Sequence, residues 1–397
     1  MEIRIISAHG DYLVQPPSED ISIADLCVLN KIPVNSVAIY GRRAGRDRVD
    51  PMADALKSIA ELRETYLELI IRPDRNISYD SALPRSIDSD IAEGDVAAYF
   101  FRAPGVAEDG SGRLIQKGFS DAECRDYVNR QVAAVVQRYP TQFKRKPLVV
   151  GVSGGGDSNA LLGALIAADV PRSNIHAVMI MGVPDWDKGR HRAEALCASY
   201  DISLKVFETA EVAIELGLKQ GRDWVAAFEA TYPGVDVEVI GTLAIRRILS
   251  SEVKRLSEGS VVTGLNLEDL LADALMRVME GKLPIPFPRR ELDGIDIFYP
   301  LYKCPKRILD GCFPKYSLEN YQDRYPSHLN GRAITYYLAQ SLNSLMPGLE
   351  FDLLAGLEKL STHWSVTEMV HNPIMGFSTL GPVSLEAQAK WRQYQLG

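Results

Sequence analysis

The sequence contains no CxxC pair, and its five cysteines, Cys27, Cys124, Cys197, Cys304 and Cys312, are scattered and odd in number. A zinc ribbon is thereby excluded and the disulfide framework of a small secreted domain disfavoured, so a reducing, cytoplasmic setting is expected. No apolar run reaches the ~18 residues that a membrane helix needs. The opening stretch Met1–Val14 alternates like a strand in place of a basic, apolar leader, and no membrane partner is expected. The six histidines show no metal-ligand spacing. There is no basic excess either: 44 Lys and Arg stand against 52 Asp and Glu, a net charge of −8, which disfavours a general nucleic-acid coat. Local clusters at Arg42, Arg43, Arg46 and Arg48, at Lys144, Arg145 and Lys146, and at Arg289 and Arg290 read either as solvated loop charge or as phosphate contacts. What remains is 397 residues with 46% hydrophobic and 24% charged content. That is the composition of a folded chain of two or three domains.

Residues 1–75 read as one small unit. A strand Glu2–Ser7, a turn at Gly10-Asp11 and a strand near Tyr12–Gln15 precede a helix around Ile23–Asn30, then strands Ser36–Tyr40 and Tyr66–Arg72. This ββαβ…β order resembles a ubiquitin-like β-grasp domain. Sulfur carriers of that kind end in a free Gly-Gly, whereas here Pro73-Asp74-Arg75-Asn76 continues the chain. A fused module that docks a sulfur donor or another partner protein is therefore expected in place of a carrier. Residues 76–119, punctuated by Pro84, Gly94, Pro104 and Asp109-Gly110-Ser111-Gly112, read as a linker with one strand at Val96–Phe101.

Ser120-Asp-Ala-Glu123 is a capping box, and Cys124, Val128, Val132, Val135 and Val136 then share one helical face. Cys124 on that face reads as core, since free cysteine packs as a small hydrophobe. From Pro147 strands and helices alternate: strands at Leu148–Val152, Ile175–Met181, Leu204–Phe207 and Ser260–Thr263, helices at Asn159–Ala168, Lys188–Tyr200, Leu243–Leu256 and Glu268–Met279. The pattern predicts an α/β fold with a parallel, doubly wound sheet of five strands and ligands at the carboxyl ends of the strands. Residues 299–397 are expected to form a small helical extension, with helices at Arg332–Leu345 and Phe351–Leu360.

The sharpest motif is Ser153-Gly154-Gly155-Gly156-Asp157-Ser158, between a buried strand and a helix. Successive glycines allow a tight turn that points N–H groups at an anion, and the helix N-terminus adds positive potential. A Walker A loop would carry lysine where Asp157 stands, and the dinucleotide spacing also fails. An aspartate beside phosphates makes sense if it works through Mg²⁺.

On these residues the sequence resembles the PP-loop ATP pyrophosphatases, of the doubly wound HUP-like class, whose SGGxDS signature residues 153–158 match. Members cleave ATP between the α and β phosphates and adenylate a carbonyl oxygen for attack by nitrogen or sulfur. The resemblance implies ATP and Mg²⁺ as cofactors, with Ser153, Gly154, Gly155, Gly156, Asp157 and Ser158 on the pyrophosphate and Met181 in a strand end, Met179–Gly182, that frames adenine. A second element, Thr263-Gly264-Leu265-Asn266-Leu267-Glu268-Asp269, is similar to the TGHNxDD motif of the tRNA 2-thiocytidine and 2-thiouridine synthetase branch. It implies that Gly264 admits the nucleotide and that Asn266 and Asp269 meet phosphates or Mg²⁺; the alternative for Asn266 and Asp269 is the cap of a surface helix. The resemblance spans about residues 120–360. In that branch three cysteines hold an iron–sulfur cluster, but Val239, Thr242 and Tyr325 stand in the corresponding places, so no cluster is expected.

Asp157, Ser158, Asp269 and Arg247 are the expected catalytic residues, with Asp157 and Asp269 on the metal. Arg246, Arg277 and Lys282 are further cations that could meet pyrophosphate, or solvated helix faces. Cys304 or Cys312 could carry a persulfide. Three functions stay open: sulfur substitution on RNA or a nucleobase-like metabolite, amide ligation by amine attack on an acyl adenylate, and nucleotide-dependent regulation without turnover.

Overall fold

A computed structural model of the chain describes residues 1–7, 10–30, 37–46, 49–51, 56–73, 89–90, 92, 94–103, 113–235, 237–323, 332–345, 348–363 and 369–396. Tyr325, one of the positions compared above with cluster ligands, lies outside the described residues.

The N-terminal unit runs β1 (Glu2–Ser7), β2 (Gly10–Leu13), α1 (Ile23–Leu29), β3 (Val37–Arg42), β4 (Asp50–Pro51), α2 (Ile59–Arg63), β5 (Glu68–Pro73). Its sheet order is β2-β1-β5-β3-β4. β1 and β5 pair in parallel and the other pairs are antiparallel. Alternation in β1 and β5 puts Ile3, Ile5, Leu69 and Ile71 on one face, where they meet Ile23 and Leu26 of α1 in a core of their own.

Residues 76–119 hold more structure than a linker. β6 (Ser89–Asp90), β7 (Ala97–Ala103) and β8 (Arg113–Phe119) form a sheet of order β6-β8-β7. Ala97, Tyr99 and Phe119 are buried in the main core, and the Tyr99 hydroxyl donates to Glu350 Oε1 at 2.8 Å. Pro84, Pro104 and Asp109-Gly110-Ser111-Gly112 lie outside the described residues; the buried Ala97, Tyr99 and Phe119 are what dock this segment.

The main body starts with α3 (Asp121–Arg138) and α4 (Pro140–Arg145). The capping box is present: Ser120 N–H donates to Glu123 Oε2 at 2.9 Å and Glu123 N–H to Ser120 Oγ at 3.3 Å. Then come β9 (Leu148–Gly151), α5 (Gly156–Ala167), β10 (Ile175–Ile180), α6 (Pro184–Asp187), α7 (Arg190–Ser199), β11 (Leu204–Phe207), α8 (Thr209–Glu215), α9 (Trp224–Thr231) and α10 (Val237–Arg255). β12 (Ser260–Val262), α11 (Leu267–Met279), β13 (Arg289–Leu292) and β14 (Ile295–Phe298) follow. The sheet order is β11-β10-β9-β12-β14-β13. Five strands are parallel, and β13 adds a sixth, antiparallel edge. The hairpin turns on Asp293 and Gly294, both at positive φ (53° and 75°), the two-residue Asp-Gly turn that matches strand twist. Leu148, Val149 and Val150 are wholly buried, as a central parallel strand covered on both faces requires. Each such side chain contributes about 1.5–3 kcal/mol on burial.

The last region holds α12 (Lys306–Cys312), α13 (Pro314–Asp323), α14 (Arg332–Leu345), α15 (Leu349–Ser361), a hairpin of β15 (Met369–Asn372) and β16 (Phe377–Leu380), and α16 (Leu385–Leu396). It is therefore helical with one added hairpin. Among the described residues no helix is long and apolar enough to cross a membrane.

Candidate active site

From β9 the chain steps to β10 and β11 on one side, then returns through α8–α10 to place β12 on the other side of β9. The crevice beyond the carboxyl ends of β9 and β12 is thus the switch point of the sheet, where ligands of doubly wound folds bind. Ser153–Ser158 leaves β9 at this crevice and Thr263–Asp269 leaves β12 beside it.

The phosphate loop is held from every side. Ser153 N–H donates to Ser158 Oγ at 3.0 Å, and the two hydroxyls lie 3.1 Å apart. Gly154 has φ +74°, and a Cβ there would stand 2.5 Å from the Gly189 carbonyl oxygen and 2.7 Å from Ala193 N. A side chain on Gly156 would collide with Ser317 Oγ. α5 begins on Gly156, three residues before the helix expected from apolar periodicity, so its free N–H groups open directly into the loop. Behind the loop the buried Arg192 guanidinium donates to the Gly154 carbonyl at 3.3 Å and pairs with Asp323.

The second element is a reciprocal helix cap. Asn266 N–H donates to Asp269 Oδ2 and Asp269 N–H to Asn266 Oδ1, each at 3.0 Å. Asn266 also turns its amide toward Asp157, with Nδ2 3.5 Å from Oδ2. It is therefore both the cap and the link between the two acids singled out in the sequence. Gly264 lines the same cavity with free space above it, the nearest atom to a Cβ being Leu161 Cδ2 at 3.9 Å.

A residue outside the sequence reading stands at the centre. Lys306, at the start of α12, donates to Asp157 Oδ1 and to Asp310 Oδ1, each at 2.8 Å. Burial works against its charge, but Asp157 and Asp310 outweigh it and raise the ammonium above the ordinary lysine range. The Lys306 N–H donates to Glu268 Oε2 at 2.8 Å. Burial pushes the Glu268 carboxyl up to about 8, with Asp269 and Glu350 adding to it. The signal available in sequence was position alone: Lys306 begins a helix that follows a strand end at the same sheet edge.

Other expected site residues separate. Arg246 lines the cavity, donating to the Ser378 carbonyl at 3.2 Å. Arg247, expected to be catalytic, is not on the cavity lining; it donates to the Met375 carbonyl at 2.9 Å and, like Arg246, ties α10 to the β15–β16 hairpin. Met181 N–H donates to the Phe207 carbonyl and its own carbonyl accepts from Trp224 Nε1; Met179 and Ile180, just before it, are the strand-end residues that line the cavity. Arg277 and Lys282 line the cavity too, each held by an acid, Asp273 at 2.6 Å and Glu280 at 2.6 Å. Val239 and Thr242 also line the cavity. Cys304 and Cys312 are fully buried, and burial pushes both thiols above their ordinary range.

The cavity measures about 1430 Å³, more than the ~300–1,000 Å³ of a pocket for one small ligand. Among the described residues no group of three or more His, Cys, Asp or Glu could hold a metal. Mg²⁺ needs no such cage, since one or two carboxylates with phosphate oxygens and water suffice. The long Asn266 contact leaves Asp157 Oδ2 lightly held, so the donor set fits that ion.

No protein-family profile matches the chain and no curated protein matches it in sequence. Its fold is shared with the U34-tRNA thiolase NcsA from Methanococcus maripaludis, solved with its [4Fe-4S] cluster. The TM-score is 0.52 at 16% identity, over 74% of this chain and 95% of that one. Weaker superpositions reach an NH3-dependent NAD synthetase from Campylobacter jejuni (TM-score 0.34, 18% identity, 62% of this chain and 95% of that one). An NMN synthetase from Francisella tularensis is comparable (0.36, 14%, 63% and 98%). The shared fold is what the first likeness establishes.

Proposed function

We propose that the chain is an adenylating enzyme of the PP-loop type, active in the cytoplasm. It would cleave ATP to AMP and pyrophosphate while activating a carbonyl or amide oxygen of an acceptor. The observation that carries this reading is the glycine-enforced loop Ser153–Ser158 opening at the sheet's switch point into a cavity large enough for ATP and a second molecule. The α5 N-terminus and the Ser153 and Ser158 hydroxyls bind the β and γ phosphates, Gly264 admits the nucleotide, and Met179–Gly182 borders the adenine. Asp157 and Asp269 would hold Mg²⁺, which would shield the phosphate charge. The acceptor oxygen attacks the α phosphorus and pyrophosphate leaves with the bonding pair. Lys306 fixes the position of Asp157.

The nucleophile that then displaces AMP is read as coming from outside the chain. All five cysteines are buried, and among the described residues none lines the cavity. This favours amine attack, as in an amide ligase, over a persulfide on Cys304 or Cys312. Sulfur substitution on RNA or a nucleobase-like metabolite would require a separate donor and, on this reading, no iron–sulfur cluster. Residues 1–75, whose sheet order β2-β1-β5-β3-β4 supports the ubiquitin-like β-grasp reading, are the proposed docking module for such a partner. Residues 120–298 are the proposed catalytic domain, and 299–397 the extension that delivers Lys306.

The test is incubation of the pure protein with α-labelled ATP and Mg²⁺, with and without a pool of acceptors, and separation of AMP from ADP. AMP and pyrophosphate, lost in Asp157→Asn, are expected. ADP as product, or binding without cleavage under every acceptor pool, would overturn the reading.

A further inference from the structure

The phosphate loop forms one part of the cavity lining. Along the strand ends of β12, β14 and β13, three polar atoms are buried without a hydrogen-bond partner among the described residues: Thr263 Oγ1, Tyr299 Oη and Arg290 Nε; Trp391 Nε1, also on the cavity lining, is a fourth. All three residues line the same cavity. Native structures leave so few polar atoms unpaired that three together at one wall point to a missing partner. Tyr299 is the strictest case, only 1% exposed, with the Arg290 guanidinium 5.8 Å from its ring centroid.

The topology explains how they meet. Because β13 runs antiparallel to β14, Arg290 pairs with Ile297 and stands near the carboxyl end of the sheet. Tyr299 follows β14 directly, its N–H donating to the Pro288 carbonyl at 2.9 Å, and Thr263 follows β12, its N–H donating to the Phe298 carbonyl at 3.1 Å. Arg246 reaches the same wall from α10, its guanidinium over the Phe377 ring at 5.2 Å.

The charge here is unbalanced. Arg277 has its carboxylate, Asp273, but among the described residues neither Arg246 nor Arg290 forms an ion pair with an acid. Asp293 faces Arg246 while accepting from Ser378 Oγ. Burial and then the neighbouring Arg290 lower the Arg246 pKa, so an added anion would relieve both cations. The wall around them is apolar, with Met276, Ile285, Leu292 and Phe377. The β15–β16 hairpin roofs Arg246 through the Ser378 carbonyl. A polynucleotide backbone needs cations on an open face; a roofed pair suits a small molecule.

We propose that this wall of the cavity is the acceptor subsite, and that it takes a small molecule with an apolar body and a carboxylate or phosphate, whose oxygens are held by Arg246, Arg290 and the Tyr299 hydroxyl. The assignment rests on the adenylation reading for its role, while its anion binding stands apart from ATP.

The test is calorimetric titration of the full-length protein with benzoate and, separately, with phenyl phosphate, each without and with saturating ATP. Binding of at least one probe is expected in both conditions, and which one binds tells carboxylate from phosphate. Arg290→Gln and Tyr299→Phe should each weaken it about tenfold or more, with the melting temperature and the ATP affinity retained. No binding of either probe, equal binding in both variants, or displacement of the probe by ATP would overturn the subsite. So would a single-stranded RNA whose binding is lost in Arg290→Gln while neither probe binds, which would assign the wall to RNA. Failure of the wild type to bind ATP while the probes behave as expected would refute the adenylation reading and leave the anion site standing.

Discussion

Lys306 Nζ stands 2.8 Å from Asp157 Oδ1 and, on its other side, 2.8 Å from Asp310 Oδ1. One buried ammonium therefore compensates an acid of the phosphate loop and an acid of the helix behind it. Without it, Asp157 would present bare negative charge to incoming phosphates at the one point where the backbone is arranged to attract them. With it, the loop keeps its carboxylate for a metal ion while the N–H groups of α5 stay free for anions.

Removing the ammonium should cost stability before it costs chemistry. Lys306→Met removes the ammonium that two acids share, one of them wholly buried, and should lower the unfolding free energy by about 3–5 kcal/mol, measured by urea denaturation. Asp157→Asn keeps the Lys306–Asp310 pair and should cost less stability, yet lower AMP formation ~100-fold or more. Equal stability of wild type and Lys306→Met would show that the triad does not carry the fold at this point.

The glycines of the site differ in what they tolerate. At Gly154 a methyl group meets backbone atoms that cannot move aside, and φ is positive. Gly154→Ala should therefore destabilise by at least about 1–3 kcal/mol. Gly264 has open space, and Gly264→Ala should change stability by less than about 0.5 kcal/mol. If the backbone at Gly264 approaches the nucleotide, the same change weakens ATP binding; unchanged affinity would place the nucleotide elsewhere.

What the sequence revealed of this site is what local chemistry encodes. The loop is legible because a tight turn between a buried strand and a helix calls for glycine, and the Asn266–Asp269 cap because the spacing is that of a capping box. The sixth strand was legible in principle from Asp293-Gly294 but was masked by the surrounding helix and loop pattern. Lys306 and Arg192 were not, and Arg290 was legible only as half of a basic pair, because their roles depend on which sheet edge and which helix start meet in space. Arg246 and Arg247 show the same limit: adjacent in sequence and both bound to the β15–β16 hairpin, only Arg246 lines the cavity.

The cysteines permit a direct separation of mechanisms. Cys304 and Cys312 are fully buried, with Cys312 Sγ donating to the Ile308 carbonyl at 3.3 Å. A persulfide relay would need one of them to reach the cavity as a thiolate, which burial opposes. Cys304→Ala and Cys312→Ala should each lose about 0.5–3 kcal/mol of stability and form AMP and final product at the wild-type rate. Product loss with AMP formation retained would restore the relay.

Glu268 gives the site a pH dependence of known sign. Its carboxyl is pushed up to about 8 by burial, against 4.5 for an ordinary glutamate. Between those values the folded chain holds a proton that the unfolded chain has released, so stability falls as pH rises, by up to about 1.4 kcal/mol per unit. The contribution is complete below pH 4.5 and is lost by the time the pH has passed 8. Glu268→Gln keeps a neutral acceptor for the Lys306 N–H and removes the titration. The variant should match the wild type near pH 5 and become the more stable of the two by pH 8, in denaturation curves taken at half-unit intervals. Parallel curves across that range would mean that Glu268 is ionised in the fold, with Lys306 then countering three acids in place of two.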